Sequence, residues 1–424
     1  MLRHLKLERF KNFRDADLAL GPLTLLVGTN ASGKSNLRDA FRFIHGISRG
    51  YTLAEIIGEK WGEGGVLQWR GIRGGTREAT YMQAPTFSLE IEFDGSENDQ
   101  PRRLNYRIEV TIGPNGTPPR VSAERLAIDG KRSVYDSHPD TSAPAQPDPQ
   151  HLFVRLRKEA KKGWVGPAVS FISERPVLSQ IVERADVKHA KVKELARQAM
   201  SALGSMRFLD LSPEAMRLPS LPGQTVLGDR GENLSSVLHA ICEKPELKTA
   251  LVEWVRELTP LDASDFDFPS DQTGRVLLTL VEGNGQQTSA YSASDGTLRF
   301  LAMIAALLGT QPARFYFFEE LENGIHPTRL NLLLALIEQK VAVGKIQMVA
   351  TSHSPQLLGY LGAEARESAS LIYRLADEAE GRIRRIMDIP EASRVLLGHE
   401  ISRLHASGWL EDAVAFAEEK EAVR

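Results

Sequence analysis

Gly28-Thr29-Asn30-Ala31-Ser32-Gly33-Lys34-Ser35, residues 28–35, fits the pattern GxxxxGK[ST] at every fixed position. Just upstream, LTLLV at residues 23–27 reads as a short buried strand; just downstream, Leu37, Phe41 and Ile44 fall at the spacing of one core-facing helix stripe. A glycine loop between strand and helix is what phosphate binding needs. Glycines let backbone N–H groups close around phosphate oxygens and the helix N-terminus adds positive potential, while the Lys34 ammonium reaches the outer phosphates and the Ser35 hydroxyl suits Mg²⁺. Gly28, Asn30, Ala31, Ser32, Gly33, Lys34, Ser35 and Asn36 are accordingly the candidate nucleotide-binding residues. The competing reading is a glycine turn followed by a solvated lysine. The strand before and the striped helix after weigh against it.

A phosphate loop specifies a nucleotide but not a mechanism; an acidic element must also serve the metal and the water. Residues 315–327, FYFFEELENGIHP, supply one, with four aromatic residues followed by Glu319 and Glu320. In open parallel sheets, ligands gather at the carboxyl ends of strands. A strand ending there in two carboxylates would set one of them in the Mg²⁺ shell and the other beside the attacking water. The alternative is that both cap a buried strand and face solvent, as charged residues often do.

At 424 residues the chain exceeds one ordinary core, so two lobes or a large insertion are expected. A net charge of −3 excludes a global basic field for nucleic acid. Cys242, the only cysteine, excludes an intrachain disulfide and the usual thiolate zinc site. MLRHLKLERFKNF is too charged for a signal peptide, and no run reaches the roughly 18 apolar residues of a membrane helix. A soluble, cytoplasmic protein with no membrane partner is expected.

FSLEIEF at residues 87–93 alternates like a strand with one wet face, and Arg103 to Thr111 does the same. Val276–Glu282, Arg314–Phe318 and Ile346–Ala350 read as strands alternating with helices over Gly296–Leu308 and Arg329–Val341. That alternation predicts an α/β fold with a parallel sheet covered on both faces. Residues 1–135 are expected as an N-terminal lobe with the phosphate loop, and 136–150, rich in Pro, Ser and Asp, as a flexible loop. Residues 151–272 read as a helical lobe, 273–362 as a C-terminal lobe, and 363–424 as a tail with an amphipathic helix.

Ser294-Asp295-Gly296-Thr297 stands before the helix GTLRFLAMIAALL, and IQMVATSHS at residues 346–354 ends a strand in His353. Phosphate loop, SDGT before a helix, acidic strand end and strand-end histidine, in that order, resemble the ABC-type ATPases. The branch is that of the SMC-like, RecF-like and OLD-like standalone bacterial proteins, whose first hairpin LKLERFKNFRDADLAL also resembles. The resemblance implies a P-loop NTPase fold, an ABC-type ATPase head with a mixed sheet and an inserted helical lobe. It implies ATP and Mg²⁺ as ligands, Ser35 and Glu319 as metal ligands, Glu320 as the residue that orients water, and His353 as the γ-phosphate sensor. Ser294, Asp295, Gly296 and Thr297 become a contact made in trans. Glu319 stands where that branch usually has Asp, so its contact with Mg²⁺ is direct or through a water. Residues 293–297, ASDGT, keep only the serine and second glycine of LSGGQ. Gln68 and Gln83 are the candidates for the Q-loop glutamine. Outside this motif order, a lone histidine after a strand reads as a helix cap or a partly buried polar group. His326 reads as structural beside Pro327.

The same resemblance implies a homodimer around ATP, with higher assembly open. OLD-type proteins append a TOPRIM nuclease, for which the stretch after His353 leaves no room. The effector is therefore expected to be a separately encoded protein, a nuclease in antiviral defence for several members of the group. The alternative is a RecF-like mediator of DNA recombination or repair. Its support is RLRKEAKKGW, where Arg155, Arg157, Lys158, Lys161 and Lys162 with Trp164 suit a phosphate backbone and a stacked base. A solvated helix face is the more ordinary reading of that cluster. Arg382 to Arg385 alternate like an edge strand.

Overall fold

A computed structural model describes residues 1–114, 116–137, 149–157, 168–258, 262–325, 327–375 and 378–389. The chain opens with a hairpin of β1 (Leu2–Phe10) and β2 (Phe13–Ala19), and β3 (Leu23–Val27) then runs into α1 (Lys34–Ser48). After α2 (Leu53–Ile57) comes a small hairpin of β4 (Glu59–Trp61) and β5 (Leu67–Arg70). The strands β6 (Thr86–Glu97), β7 (Gln100–Thr111), β8 (Arg120–Ile128), β9 (Arg132–Asp136), β10 (His151–Leu156) and β11 (Val169–Ile172) follow. With the first hairpin they make one sheet, ordered β11-β10-β9-β8-β7-β6-β1-β2, whose pairs are antiparallel. The alternation of FSLEIEF decides its faces. Phe87, Leu89, Ile91 and Phe93 are at most 1% exposed. On the other face Arg107 pairs with Glu8 at 2.7 Å and Glu90 at 3.3 Å, and holds the Glu8 carboxyl down at about 2.

Next come α3 (Val177–Glu183), α4 (Ala190–Gly204), β12 (Met206–Leu209), α5 (Pro213–Met216), α6 (Leu234–Cys242) and α7 (Pro245–Leu258). A small antiparallel sheet of β13 (Ala263–Asp267), β14 (Thr279–Glu282) and β15 (Gln287–Ser289) precedes α8 (Asp295–Leu308). The remainder is β16 (Phe315–Phe318), α9 (Pro327–Ala342), β17 (Gln347–Ser352), α10 (Ala363–Ser368), β18 (Ser370–Tyr373) and β19 (Arg382–Arg385).

The central sheet has the order β12-β16-β17-β3-β18-β19 and is parallel except for β19, which lies antiparallel at the edge. Every residue of β3, β16, β17 and β18 is buried. Alternate side chains feed two cores. Leu26, Phe315, Phe317, Val349 and Ile372 pack with α1 and the antiparallel sheet; Leu25, Tyr316, Phe318, Met348 and Leu371 pack with α8 and α9. Both faces of β16 are thus apolar, which is why FYFF shows no polar alternation.

The helical lobe expected over 151–272 is in part strand. β10 and β11 extend the antiparallel sheet, burying Leu152, Val154 and Leu156 on one face, and β12 is the edge of the central sheet. Four residues, MRFL, are too few to show a period. The strand expected from Val276 begins at Thr279; Val276 makes only isolated bridges to Ser220 and Ser270. Arg155 and Arg157 stand on and just beyond β10, so these two residues of the expected solvated helix face are in extended chain; Arg157 N–H donates to the Val134 carbonyl at 3.0 Å. Lys158, Lys161, Lys162, Trp164, His326, most of the loop at 136–150 and the tail helix lie outside the described residues. Among the described residues, no helix is long and apolar enough to cross a membrane.

Candidate nucleotide site

The carboxyl ends of β3, β16 and β17 lie side by side, since β17 pairs with both others. Beyond them is a cavity of about 260 Å³ lined by residues 30–36, Arg73, Glu319, Glu320, Thr351 and His353. The loop after β3 turns tightly into α1, with Ala31 at φ 62° and Gly33 at φ 124°. At Gly28 a Cβ would run into the Ile372 carbonyl oxygen, so the loop lies flat against β18 only because that residue has none.

Lys34 folds back over the loop. Its Nζ donates to the carbonyls of Gly28 (2.5 Å) and Thr29 (2.8 Å) and lies 3.2 Å from His353 Nδ1. Burial lowers its pKa, against the opposing pull of Glu320, Glu322 and Glu319. These carbonyls stand in for acceptors that a phosphate would offer. The Ser32 hydroxyl is buried with no hydrogen-bond partner, an orphan inside the cradle.

The two adjacent carboxylates point to different partners. Glu319 is ion-paired with Arg38, one helical turn beyond Lys34, with both side chains less than one fifth exposed. Glu320 sits at φ 53°, its N–H donating to Thr351 Oγ1 at 3.0 Å. Its Oε1 is 3.2 Å from His353 Nε2, and its Oε2 accepts from Asn323. The His353 ring therefore bridges Lys34 and Glu320.

Three residues at the site were not read from the sequence, the first being Thr351, which lines the cavity from β17. Arg73 lines the cavity and donates to Asp39 Oδ2 at 3.1 Å; its only sequence signal is an arginine set among glycines, GIRGG. Glu322 accepts from His353 N–H at 2.7 Å and from the Ser352 hydroxyl at 2.9 Å, a contact that depends on two strands ending together. Gln68 and Gln83 are exposed and do not line the cavity.

Ser294 caps α8, its hydroxyl accepting from Thr297 N–H at 3.1 Å, and Asp295 pairs with Arg217 at 2.7 Å. Gly296 lies against Gly324, whose carbonyl oxygen a Cβ would meet. None of Ser294, Asp295, Gly296 and Thr297 lines the cavity of its own chain. Among the described residues, no cluster of three or more His, Cys, Asp or Glu side chains is arranged to hold a metal unaided. The Ser35 hydroxyl and Glu319 carboxylate, beside a phosphate cradle, are hard oxygen donors that fit a partial Mg²⁺ shell completed by phosphate and water.

Residues 23–159 and 169–359, about three quarters of the chain, match the family described as "AAA domain, putative AbiEii toxin, Type IV TA system". No curated protein matches the chain in sequence. Among solved structures, the SMC head bound to the C-winged helix domain of ScpA is similar, with 13% identity, 90% of this chain and 97% of that chain covered, and a TM-score of 0.50. The SMC head domain from Thermotoga maritima (12% identity, 91% and 98% covered) has a TM-score of 0.40. The head with an extended coiled coil bound to the C-terminal domain of ScpA, from Pyrococcus furiosus (12%, 94% and 98%), reaches 0.46. Identity this low bears on the fold alone, and only the first of the three carries weight for it. The chain belongs to this AAA-domain family, and its fold is similar to that of an SMC head.

Proposed function

We propose that this chain binds ATP with Mg²⁺, hydrolyses it slowly, and uses the bound triphosphate to hold two copies together. The observation that carries the reading is the single cavity shared by Lys34, Glu319, Glu320 and His353 from three neighbouring strand ends. Loop N–H groups, a buried ammonium and an orphan hydroxyl together call for a ligand rich in negative oxygens. When bound, Mg²⁺ neutralises charge on the phosphate oxygens, and Ser35 with Glu319 would hold it. Glu320 takes the proton from water as the water oxygen attacks the γ-phosphorus and the bond to the bridging oxygen of ADP breaks. His353, between Lys34 and Glu320, orients both and senses the γ-phosphate. Slow turnover is consistent with the Glu320 carboxylate being already engaged by His353 and Asn323.

Because Ser294, Asp295, Gly296 and Thr297 lie away from their own chain's cavity, their role is to meet the triphosphate held by a second copy. The dimer so formed gates a separately encoded effector, a nuclease, in DNA-related or antiviral processes. By analogy, the SMC head bound to ScpA carries its partner as a separate chain.

Glu320→Gln tests the reading. Turnover is expected to fall by about two to three orders of magnitude with ATP binding retained. Light scattering should then find an ATP-dependent dimer. Undiminished turnover, or a monomer in saturating ATP, would overturn it.

A further inference from the structure

Glu322 stands two residues past Glu320 and does not line the nucleotide cavity, yet its carboxylate is tied to the strand end that carries His353. Its Oε1 accepts two hydrogen bonds, from His353 N–H at 2.7 Å and from the Ser352 hydroxyl at 2.9 Å. Its Oε2 is buried and finds no hydrogen-bond partner among the described residues. A buried carboxylate oxygen with no donor is destabilising, so stability alone does not account for this residue.

Its bonds hold the one backbone group that sets the histidine. His353 is the first residue beyond β17, where no strand neighbour remains to take its N–H. The chain leaving β16 bends over β17 at the same point, with Glu320 N–H donating to Thr351 Oγ1 at 3.0 Å and Leu321 N–H to the Thr351 carbonyl at 3.0 Å. Glu322 closes this crossing from the far side. The segment carrying Glu320 and the strand end carrying His353 thereby become one rigid unit. Gly324 of that segment also touches Gly296 of the SDGT turn, so the unit reaches the start of α8.

We infer that Glu322 is a positioning residue that holds the His353 backbone so that the ring meets Lys34 and Glu320 at once. The inference rests on the ATPase reading above. The role is one of reach and acceptance, not of charge. Aspartate at this position keeps the charge but is one methylene too short for His353 N–H. Glutamine loses the charge but keeps a carbonyl oxygen in the same place.

Steady-state kinetics and ATP titration of Glu322→Asp, Glu322→Gln and Glu320→Gln separate the possibilities. Glu322→Asp is expected to bind ATP within about threefold of the parent chain while kcat falls roughly 30-fold, a loss of orientation without loss of binding. Glu322→Gln should keep kcat within about threefold, because it restores the acceptor. The reverse pattern, a fast aspartate and a slow glutamine, would make the residue an electrostatic one and overturn the inference. So would loss of ATP binding in step with kcat in both variants, which marks a purely structural role. Parent-level turnover in Glu322→Asp beside an inactive Glu320→Gln overturns this inference alone. Parent-level turnover in both overturns the ATPase reading itself.

Discussion

Arg38 sets what the Glu319 carboxylate pairs with in this structure. A guanidinium one turn past Lys34 holds a carboxylate that is largely removed from water, and each ion is the other's compensation. Arg38→Met should cost about 2 kcal/mol in the absence of nucleotide, because it leaves a largely desolvated Glu319 without a cation. ATP with Mg²⁺ should recover much of that loss, whereas ATP in chelator should not, if Glu319 serves the metal shell. Urea unfolding midpoints in the three conditions measure this; an equal loss in all of them would set Glu319 outside the metal's reach. The sequence showed the acidic pair but not this division of partners. Arg38 lies on the polar side of a helix stripe, where composition carries no sign of what it faces. Arg73 was hidden for a related reason, since a loop arginine between glycines belongs to no period.

Among the elements, the strands that are apolar on both faces were legible because their burial demands it: LTLLV, FYFF and the run ending in His353 lie where their composition placed them. β12 and β10 were not, being short segments whose strand state depends on neighbours far away in sequence. One element contact carries its own test. Glu124 on β8 is fully buried and accepts from the N–H groups of Val177 and Leu178 at the start of α3, both at 2.7 Å, and from the Tyr135 hydroxyl at 2.8 Å. Burial outweighs these donors and pushes its pKa up from 4.5 to about 7. As pH rises from 4.5 towards 7 the unfolded carboxyl releases its proton while the folded one keeps it, so stability falls, by up to about 3 kcal/mol, and then levels. Glu124→Gln should lack this slope. Urea midpoints for both chains between pH 4.5 and 7.5 would show it, and parallel profiles would rule out the carboxyl as its source.

For the whole molecule, the proposed composite site makes a prediction that no single chain can satisfy. Lys34→Ala disables the phosphate cradle and Ser294→Arg the contact offered to a second copy, so each variant alone should be inactive. Mixed in equal amounts, half the dimers contain one intact composite site, and about a quarter of the parent ATPase activity should return. No recovery from two folded variants would mean that each cavity acts alone. The sheet order that builds this site has a further consequence for synthesis. Leu2 and Gln347, 345 positions apart, exchange backbone and side-chain hydrogen bonds, and β3 is flanked by β17 and β18. On the ribosome the phosphate loop therefore emerges early into a sheet that does not yet exist. A nascent chain halted before residue 352 carries Lys34 and Ser35 but neither the complete strand beside them nor His353. A triphosphate that needs these residues together would then stabilise only chains extended past β17.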